Sequence, residues 1–402
     1  MVVVTGLGLQ SPHGEAPQAV FAALRRGESA VHEVFPGQLP KPAAAATVAF
    51  DESRWFTKLQ LAGVDRVSQL AVAAADLAVQ DAGTPAGLDP ERVGVYVGCG
   101  MGGGAAIEAA YLTGAAGGRV PPLTIPAFMP NAPAAHVAIR QRVKGPVLTY
   151  SVACASSAVA IGEALRAVQR GEVDLAIAGG SEALIVPGVV AAWQAMQTLA
   201  GFAPGEAARA CRPFAADRSG FVLGEGAAFL VLESEAHARA RGARIQARLL
   251  GYGLSSDATH LTKPDAGGQA RALAAALREA GLPAGEVGYC NAHGTATKIG
   301  DVVEAEALGL VWGDALPRLR VSSTKALHGH LLGAAGALEA VITILALQQQ
   351  ALPPNQHGGA VEPACPLNLV EPGDTDAPGL RAAVSSSFAF GGTNAVLAFG
   401  RA

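Results

Sequence analysis

This chain of 402 residues is poor in charge and in aromatic rings: 15% are Asp, Glu, Lys or Arg and 5% are Phe, Trp or Tyr. With 50% hydrophobic residues it fits neither a disordered nor a fibrous chain, and its length suggests about two to three domains. Its formal net charge of −4 supplies no general positive field, which argues against a nucleic-acid partner. A local basic patch for an acidic partner stays compatible with that balance. The five cysteines, Cys99, Cys154, Cys211, Cys290 and Cys365, form no CxxC pair, and their odd number suits neither a disulfide framework nor a zinc ribbon. The opening MVVVTGLGLQSPHG has no basic stretch before its apolar run, so no secretory signal is visible. Of two long uncharged stretches, 120–139 is broken by Pro121, Pro122, Pro126, Pro130 and Pro133, and 183–205 by Pro187, Gly188, Gln194 and Gln197. No membrane span is expected from either, and the expectation is a soluble cytoplasmic protein.

What the chain has in abundance is glycine, 50 residues, together with long alanine runs. Side chains this small let backbones approach closely, as layered sheets and buried helices require. The chain also repeats itself. VVVTGLGLQS (2–11) returns as ARLLGYGLSSD (247–257). The helical phrase SQLAVAAADLAVQDAG (68–83) leads into LDPERVGVYVGCGMG (88–102), as GQARALAAALREAG (268–281) leads into LPAGEVGYCNAHGTA (282–296). VLTYSVACASSAVAIGEAL (147–165) pairs with LRVSSTKALHGHLLGAAGALEA (319–340), and FVLGEGAAFLVLE (221–233) with FAFGGTNAVLAFG (388–400). Four phrases in one order imply two homologous α/β halves, 1–245 with a candidate nucleophile and 246–402 with candidate histidines. The first half carries extra segments near 30–65, 104–135 and 190–218, where pocket walls and dimer contacts are expected.

Cys154 follows the apolar run VLTYSVA and precedes ASSAVAIGEAL, a strand-to-helix turn. A thiol there faces unpaired helix N–H groups and the positive end of the dipole, so its pKa is expected to fall below the roughly 8.5 of a free thiol. The other cysteines lack this setting and are expected in the core. His293 in NAHGTATKIGD and His330 in STKALHGHLLGAAGALE occupy matching repeat positions, and Cys154 and His330 nearly equivalent ones, each near the start of a buried helix. His328 lies two residues from His330; His330 is preferred because it opens the helix. Lys325 needs a partner if buried, and Glu339 is the nearest acid that follows; structural pairing and catalytic tuning are both open to it. Asp301 and Glu304 are further members of this candidate network. Gly98–Gly103 matches GxGxxG after a strand, but no Asp or Glu lies between Glu108 and Glu163 to hold a ribose, so a tight turn is the better reading. His328, His330, His293 and Cys154 could imitate zinc ligands, yet no HExxH or Cys/His cluster supports a metal; there is also no P-loop and no GxSxG elbow.

Together VACASS, NAHGTAT, STKALHGHLLGAAGALE and FGGTN resemble the elongating β-ketoacyl-ACP synthases of fatty-acid and type II polyketide synthesis, over essentially the whole chain. The resemblance implies a thiolase-like fold, α/β with a duplicated five-layer αβαβα architecture. It implies a homodimer, or a heterodimer with a ketosynthase-like subunit. By resemblance Cys154 is the acyl acceptor, His293 and His330 are the paired histidines, and Lys325 with Glu339 the supporting ion pair. Thr295 and Thr297 match positions that hold the pantetheine arm. Phe390 matches the gate whose backbone N–H joins that of Cys154 in an oxyanion hole. Met101, Ala127, Phe128 and Met129 match the acyl pocket or its dimer-side wall. The implied reaction is a decarboxylative condensation of an acyl group on Cys154 with malonyl-ACP, needing no metal and no cofactor beyond the phosphopantetheine arm of the acyl carrier protein.

Three features depart from the family pattern. Ala389 stands where a hinge glycine is usual, Lys298 where proline or a small residue is usual, and 51–69 offers only Arg54, Lys58 and Arg66 as cations for a carrier. These hint at a specialised synthase beside a second ketosynthase-like subunit. A degradative thiolase would need a second cysteine in a CxG phrase, which Cys365 does not supply. An initiating synthase would show Cys-His-Asn in place of Cys-His-His. A chain-length-factor subunit would usually have lost the nucleophile, and a cysteine hydrolase would need an acid or amide to orient its histidine.

Overall fold

The computed structural model describes residues 1–83 and 88–402. Its main sheet has eleven strands, ten of which come in two matching sets. The first set is β1 (Val2–Gln10), β2 (Val93–Gly98), β3 (Val147–Tyr150), β4 (Leu175–Glu182) and β5 (Gly226–Ser234). The second is β6 (Ala247–Ser256), β7 (Tyr289–Asn291), β8 (Arg320–Ser322), β9 (Ala382–Phe388) and β10 (Thr393–Arg401). Across the sheet the order is β1-β5-β4-β2-β3 in one direction and β6-β10-β9-β7-β8 in the other, with the short edge strand Asn368–Leu369 beyond β8. Antiparallel and parallel pairings also match: β5 and β10 are each antiparallel to both their neighbours, whereas β4-β2-β3 run parallel, as do β9-β7-β8. The two sets join through β1 and β6, Val2 opposite Leu249 and Val4 opposite Ala247.

The helices that matter are α1 (Arg66–Ala82), α2 (Ser156–Gln169), α3 (Ala266–Ala280), α4 (Lys298–Trp312) and α5 (Ala335–Gln349). α2 and α5 touch each other and strands of both sets, so they form the central layer. α1 covers β1 and β5 from outside, while α3 covers β6 and β10 with α4 beside it. The layers therefore read helix, sheet, helix, sheet, helix. The outer helices share one punctuation: Asp65 and Asp265 cap α1 and α3 through backbone N–H groups, and Gly83 and Gly281 end them in the left-handed region. α5 is buried from Ala335 to Leu347 without a polar face. Leu332–Gln349, outside both stretches singled out above, is long and apolar enough to cross a membrane, with a mean hydropathy of 1.4, but 89% of it is buried inside the protein. It is the core helix.

The recurring glycine pair of the first strand explains the tight outer layers. A Cβ on Gly6 would run into the carbonyl of Ala78, and one on Gly8 into that of Ala74, both on α1. Gly251 and Gly253 meet the carbonyls of Ala276 and Ala272 on α3 in the same way. Alanine-lined helices can thus lie directly on the strand backbone. Replacing Gly253 with Val is expected to lower the unfolding free energy by about 1–3 kcal/mol or more through overpacking. Gly309→Ala, in α4 with open space around the added methyl, should raise it by roughly 0.5–1 kcal/mol. Denaturant midpoints of the two variants check both signs; a Gly253→Val protein as stable as its parent would mean that helix and strand are not in close contact.

Candidate active site

Cys154 lies in a single tight turn, Ala153–Ala155, that opens α2; an equivalent turn, Leu332–Ala334, opens α5. Both begin on a non-glycine residue in the left-handed region, Ala153 with φ 47° and Leu332 with φ 46°. Such backbone costs on the order of 1–3 kcal/mol and persists only where packing imposes it. Here it aims the following residues at the space between the central helices. This correspondence corrects the sequence alignment: Cys154 matches Gly333, and His330 stands upstream of its helix instead of opening it. His330 is held like a strand residue beside Leu223, its N–H bonded to Val222 O at 2.7 Å and its carbonyl to Gly224 N at 2.8 Å. That bridge brings His330 Nε2 to 3.0 Å from Cys154 Sγ.

The chain also decides which nitrogen of His330 carries the proton. Leu332 N–H donates to Nδ1 at 3.3 Å, so the neutral ring holds its proton on Nε2, facing the sulfur. A hydrolase triad would place an acid at Nδ1 to make Nε2 a base. This ring is set up as a donor. His293 stands edge-to-face to it, centroids 5.4 Å apart, with its Nδ1 buried and without a hydrogen-bond partner among the described residues. Its loop is fastened by Glu304, which accepts the N–H groups of His293 and Gly294 at 2.8 and 2.7 Å. His328 is spent on the chain itself, one ring nitrogen on Gly329 O at 2.7 Å and the other on Thr324 Oγ1 at 2.9 Å. The ligand atoms of Cys154, His293 and His330 lie within 4.8 Å of one another, a spacing that a thiophilic metal could also bridge.

Burial dominates the electrostatics. It pushes the Cys154 thiol up to about 12; the Lys325 ammonium and the Phe390 N–H pull the other way, while Glu182 and Glu339 push it further up. The dipole argument foresaw a lowered thiol, and desolvation overturns it. Burial, helped by the Lys325 charge, holds both His293 and His330 well below the ordinary imidazole value, so both are neutral donors or acceptors at pH 7. Lys325 Nζ is bonded to Glu339 Oε1, and neither side chain has any exposed surface. Asp301 is not bonded to that pair. It accepts Phe214 N–H at 2.7 Å, lies 3.5 Å from Arg218, and is pushed up to about 6 by burial.

A cavity of about 560 Å³ leads to Cys154, His293 and His330, with Thr295, Thr297, Lys298 and Phe390 in its wall. The two threonine hydroxyls are 3.1 Å apart, and Thr297 caps α4 through Gly300 N–H. Ala389 is buried, with its N–H on Thr393 O at 2.9 Å; the left-handed positions of this turn are Gly391 and Gly392, so residue 389 needs no glycine in this state. Met101, Ala127, Phe128 and Met129 do not line this cavity. The turn after Met101 meets the segment 127–129, Gly103 N–H bonding Phe128 O at 3.1 Å, and Met101 is 49% exposed. In 51–69, Arg54 is paired with Glu15 and Arg66 with Glu225, which leaves Lys58 outside the ion pairs of that segment among the described residues.

Sequence reasoning missed three aromatic wall residues. Trp193, in the third extra segment, packs edge-on to Phe221 at 5.3 Å and lies 6.3 Å from Phe390; Phe221 stands edge-on to His330 at 5.5 Å, and Phe388 to His293 at 6.1 Å. The signal for Trp193 was its place in an insertion; Phe221 and Phe388 each open one of the paired phrases 221–233 and 388–400, a repeat signal that went unread. Lys325→Met should destabilise the protein by about 3–5 kcal/mol, because the Glu339 carboxyl is left buried without its partner, and adding Glu339→Leu should recover most of the loss. Chemical denaturation of the single and double variants reads this directly; equal stability of the single variant would remove the ion pair from the core.

Comparison with known proteins agrees with this geometry. The family model described as beta-ketoacyl synthase, N-terminal domain, matches residues 1–238, and that of the C-terminal domain matches 246–358. The chain is 40% identical to nodulation protein E of Rhizobium meliloti (strain 1021) over 403 residues, 99% of this chain and 98% of that one. It is 37% identical to 3-oxoacyl-[acyl-carrier-protein] synthase 2 of Staphylococcus aureus (strain COL) over 406 residues, 99% of this chain and 97% of that one. Among solved structures, the ishigamide ketosynthase/chain length factor superposes with a TM-score of 0.92 at 34% identity, covering 100% of this chain and 99% of the other. The chain therefore belongs to the β-ketoacyl synthase family and is an elongating condensing enzyme of fatty-acid or type II polyketide synthesis, built on the thiolase-like fold.

Proposed function

We propose that Cys154, His293 and His330 carry the condensation in two half-reactions. In the first, Cys154 Sγ attacks the thioester carbonyl of an acyl group on the acyl carrier protein; the acyl–sulfur bond to the carrier breaks, and the Cys154 thiol proton passes to the departing carrier sulfur, which leaves as a thiol. In the second, malonyl-ACP enters, and the Nε2–H groups of His330 and His293 donate to its thioester carbonyl. The carbon–carbon bond to the carboxylate breaks, CO₂ departs, and the enolate carbon attacks the acyl-Cys154 carbonyl. The oxyanion faces the Phe390 N–H, and Cys154 leaves as a thiolate that is reprotonated. The observation that carries this reading is the donor tautomer of His330 at 3.0 Å from the sulfur. Loss of CO₂ drives the step, so no metal and no cofactor beyond the carrier's phosphopantetheine is required.

Thr295 and Thr297 are the hydroxyls proposed to hold that arm, and the exposed Lys263 and Lys298 in the cavity wall suit an acidic carrier. A partner is proposed on the opposite side. Tyr111, Leu112, Leu123, Ile125 and Met129 are exposed there, and β3, the last strand of the sheet, exposes Val147 and Leu148. Such a face and a free strand edge fit a second ketosynthase-like chain, the same or a chain-length factor, which would also complete the wall at Met101, Ala127, Phe128 and Met129. The five free cysteines suit a reducing compartment, in keeping with the cytoplasm. A thiolase reading is not favoured, since Cys365 is buried with its thiol on Asp301 O and lies off the cavity.

Cys154→Ser is expected to fold and yet to acquire no acyl group from acyl-ACP, read by intact mass. His330→Ala should still be acylated while malonyl decarboxylation falls about a hundredfold, in keeping with the loss of an oxyanion-type donor. Undiminished CO₂ release from that variant would take His330 out of the role.

A further inference from the structure

The turn Gly98–Gly103 is a motif that the condensation leaves unused. Its likeness to an anion-binding fingerprint has a physical cause: the turn does wrap an anion, and that anion belongs to the protein. Glu182, the last residue of β4 and without exposed surface, accepts Gly100 N–H at 2.8 Å on Oε2 and Met101 N–H at 3.4 Å on Oε1, where the Cys99 thiol also points from 3.9 Å. The oxygen that holds Gly100 also accepts Gly333 N–H at 3.0 Å. Gly333 sits in the turn that follows His330 and opens α5. A Cβ on Gly100 or Gly333 would run into this carboxylate, so glycine is required at both. On the far side of the same turn, Ser151 Oγ donates to Gly100 O at 2.9 Å, just ahead of Cys154. One side chain therefore sits where the segments bearing Gly100, Cys154 and His330 meet.

We propose that Glu182 is a positioning residue for the condensation: its carboxylate fastens the turn after His330 to the turn behind Cys154 and so holds imidazole and sulfur at reacting distance. Sequence distance makes the tie consequential, since the three segments come from β2, α2 and α5 and share no covalent neighbour. Its charge is not neutralised by any ion pair among the described residues, and it is felt at the thiol. The charged groups acting on Cys154 are Lys325, Glu182 and Glu339, with neutral His293 and His330 beside them; burial lifts the Glu182 carboxyl itself to about 7.

Two substitutions separate bond from charge. Glu182→Gln, with its carbonyl oxygen in the place of Oε2, keeps the Gly100 and Gly333 bonds and gives up the charge. Glu182→Asp keeps the charge, but a side chain one methylene shorter cannot span both turns. Iodoacetamide alkylation of Cys154 from about pH 6 to 9 reads the thiol without any acyl carrier, and steady-state condensation reads the alignment. We expect Glu182→Gln to keep kcat within about threefold and to alkylate about threefold faster or more above pH 7. That gain should fade below pH 7, where the native carboxyl is itself neutral. Glu182→Asp should lose about tenfold or more in kcat with KM for the acyl carrier unchanged, since Thr295 and Thr297 are untouched. Parental kcat in Glu182→Asp, or a Glu182→Gln alkylation profile that coincides with the parent at every pH, overturns the proposal. Should Glu182→Asp fail to fold, the alkylation profile of Glu182→Gln decides.

Discussion

An ammonium with no exposed surface, held by one carboxylate, is the interaction on which the site depends. Lys325 must find Glu339, because a lone charge in this core would cost several kcal/mol. Meeting it docks the short helix Lys325–His328 against α5 and so places the following bridge at His330 beside Val222 and Gly224. The same charge then acts on chemistry. It opposes the rise of the Cys154 thiol and helps keep His293 and His330 neutral, so one cation tunes three reacting groups that burial alone would set.

The reacting side chains sit on irregular backbone between layers, where unpaired N–H groups are costly. Buried carboxylates solve that difficulty in each place. Glu304 takes the N–H groups of His293 and Gly294, Asp301 that of Phe214, and Glu182 those of Gly100 and Gly333. These acids act as staples for loops, held by backbone donors, with Arg218 also beside Asp301. This device also accounts for the fingerprint-like glycine turn, whose Gly100 and Met101 N–H groups are taken by Glu182.

Duplication supplies the convergence. Each half starts with a glycine pair that admits an alanine-lined outer helix, and each delivers a strained turn to its central helix, at Ala153 and at Leu332. The halves then diverge in what they place near that turn: a thiol within it in the first half, and a histidine upstream of it in the second. A condensing enzyme needs one nucleophile and separate donors, and an unequal use of two equal frames provides both.

The repeated phrases, the strand-to-helix setting of Cys154 and the motifs around His293 and His330 are local patterns, and they were legible in order and in kind. Lys325 and Glu339 could be paired on paper because they lie close in sequence and burial demands a partner. Glu182 could not, since its donors come from turns far apart in the chain. Nor could the tautomer of His330, which depends on one N–H from Leu332, or the raised thiol of Cys154, where desolvation outweighs the helix end. Met101 and Phe128, matched to an acyl pocket by resemblance, lie off the cavity of this chain for a related reason: which loops wall a cavity is decided by tertiary packing, which a local motif does not carry. Sequence by itself determined the fold and the family, through repeated phrases and motifs that are local in the chain, and it nominated the side chains proposed to react. Tertiary structure decided protonation, alignment and field, because those depend on which groups exclude water together and on backbone donors that no motif records.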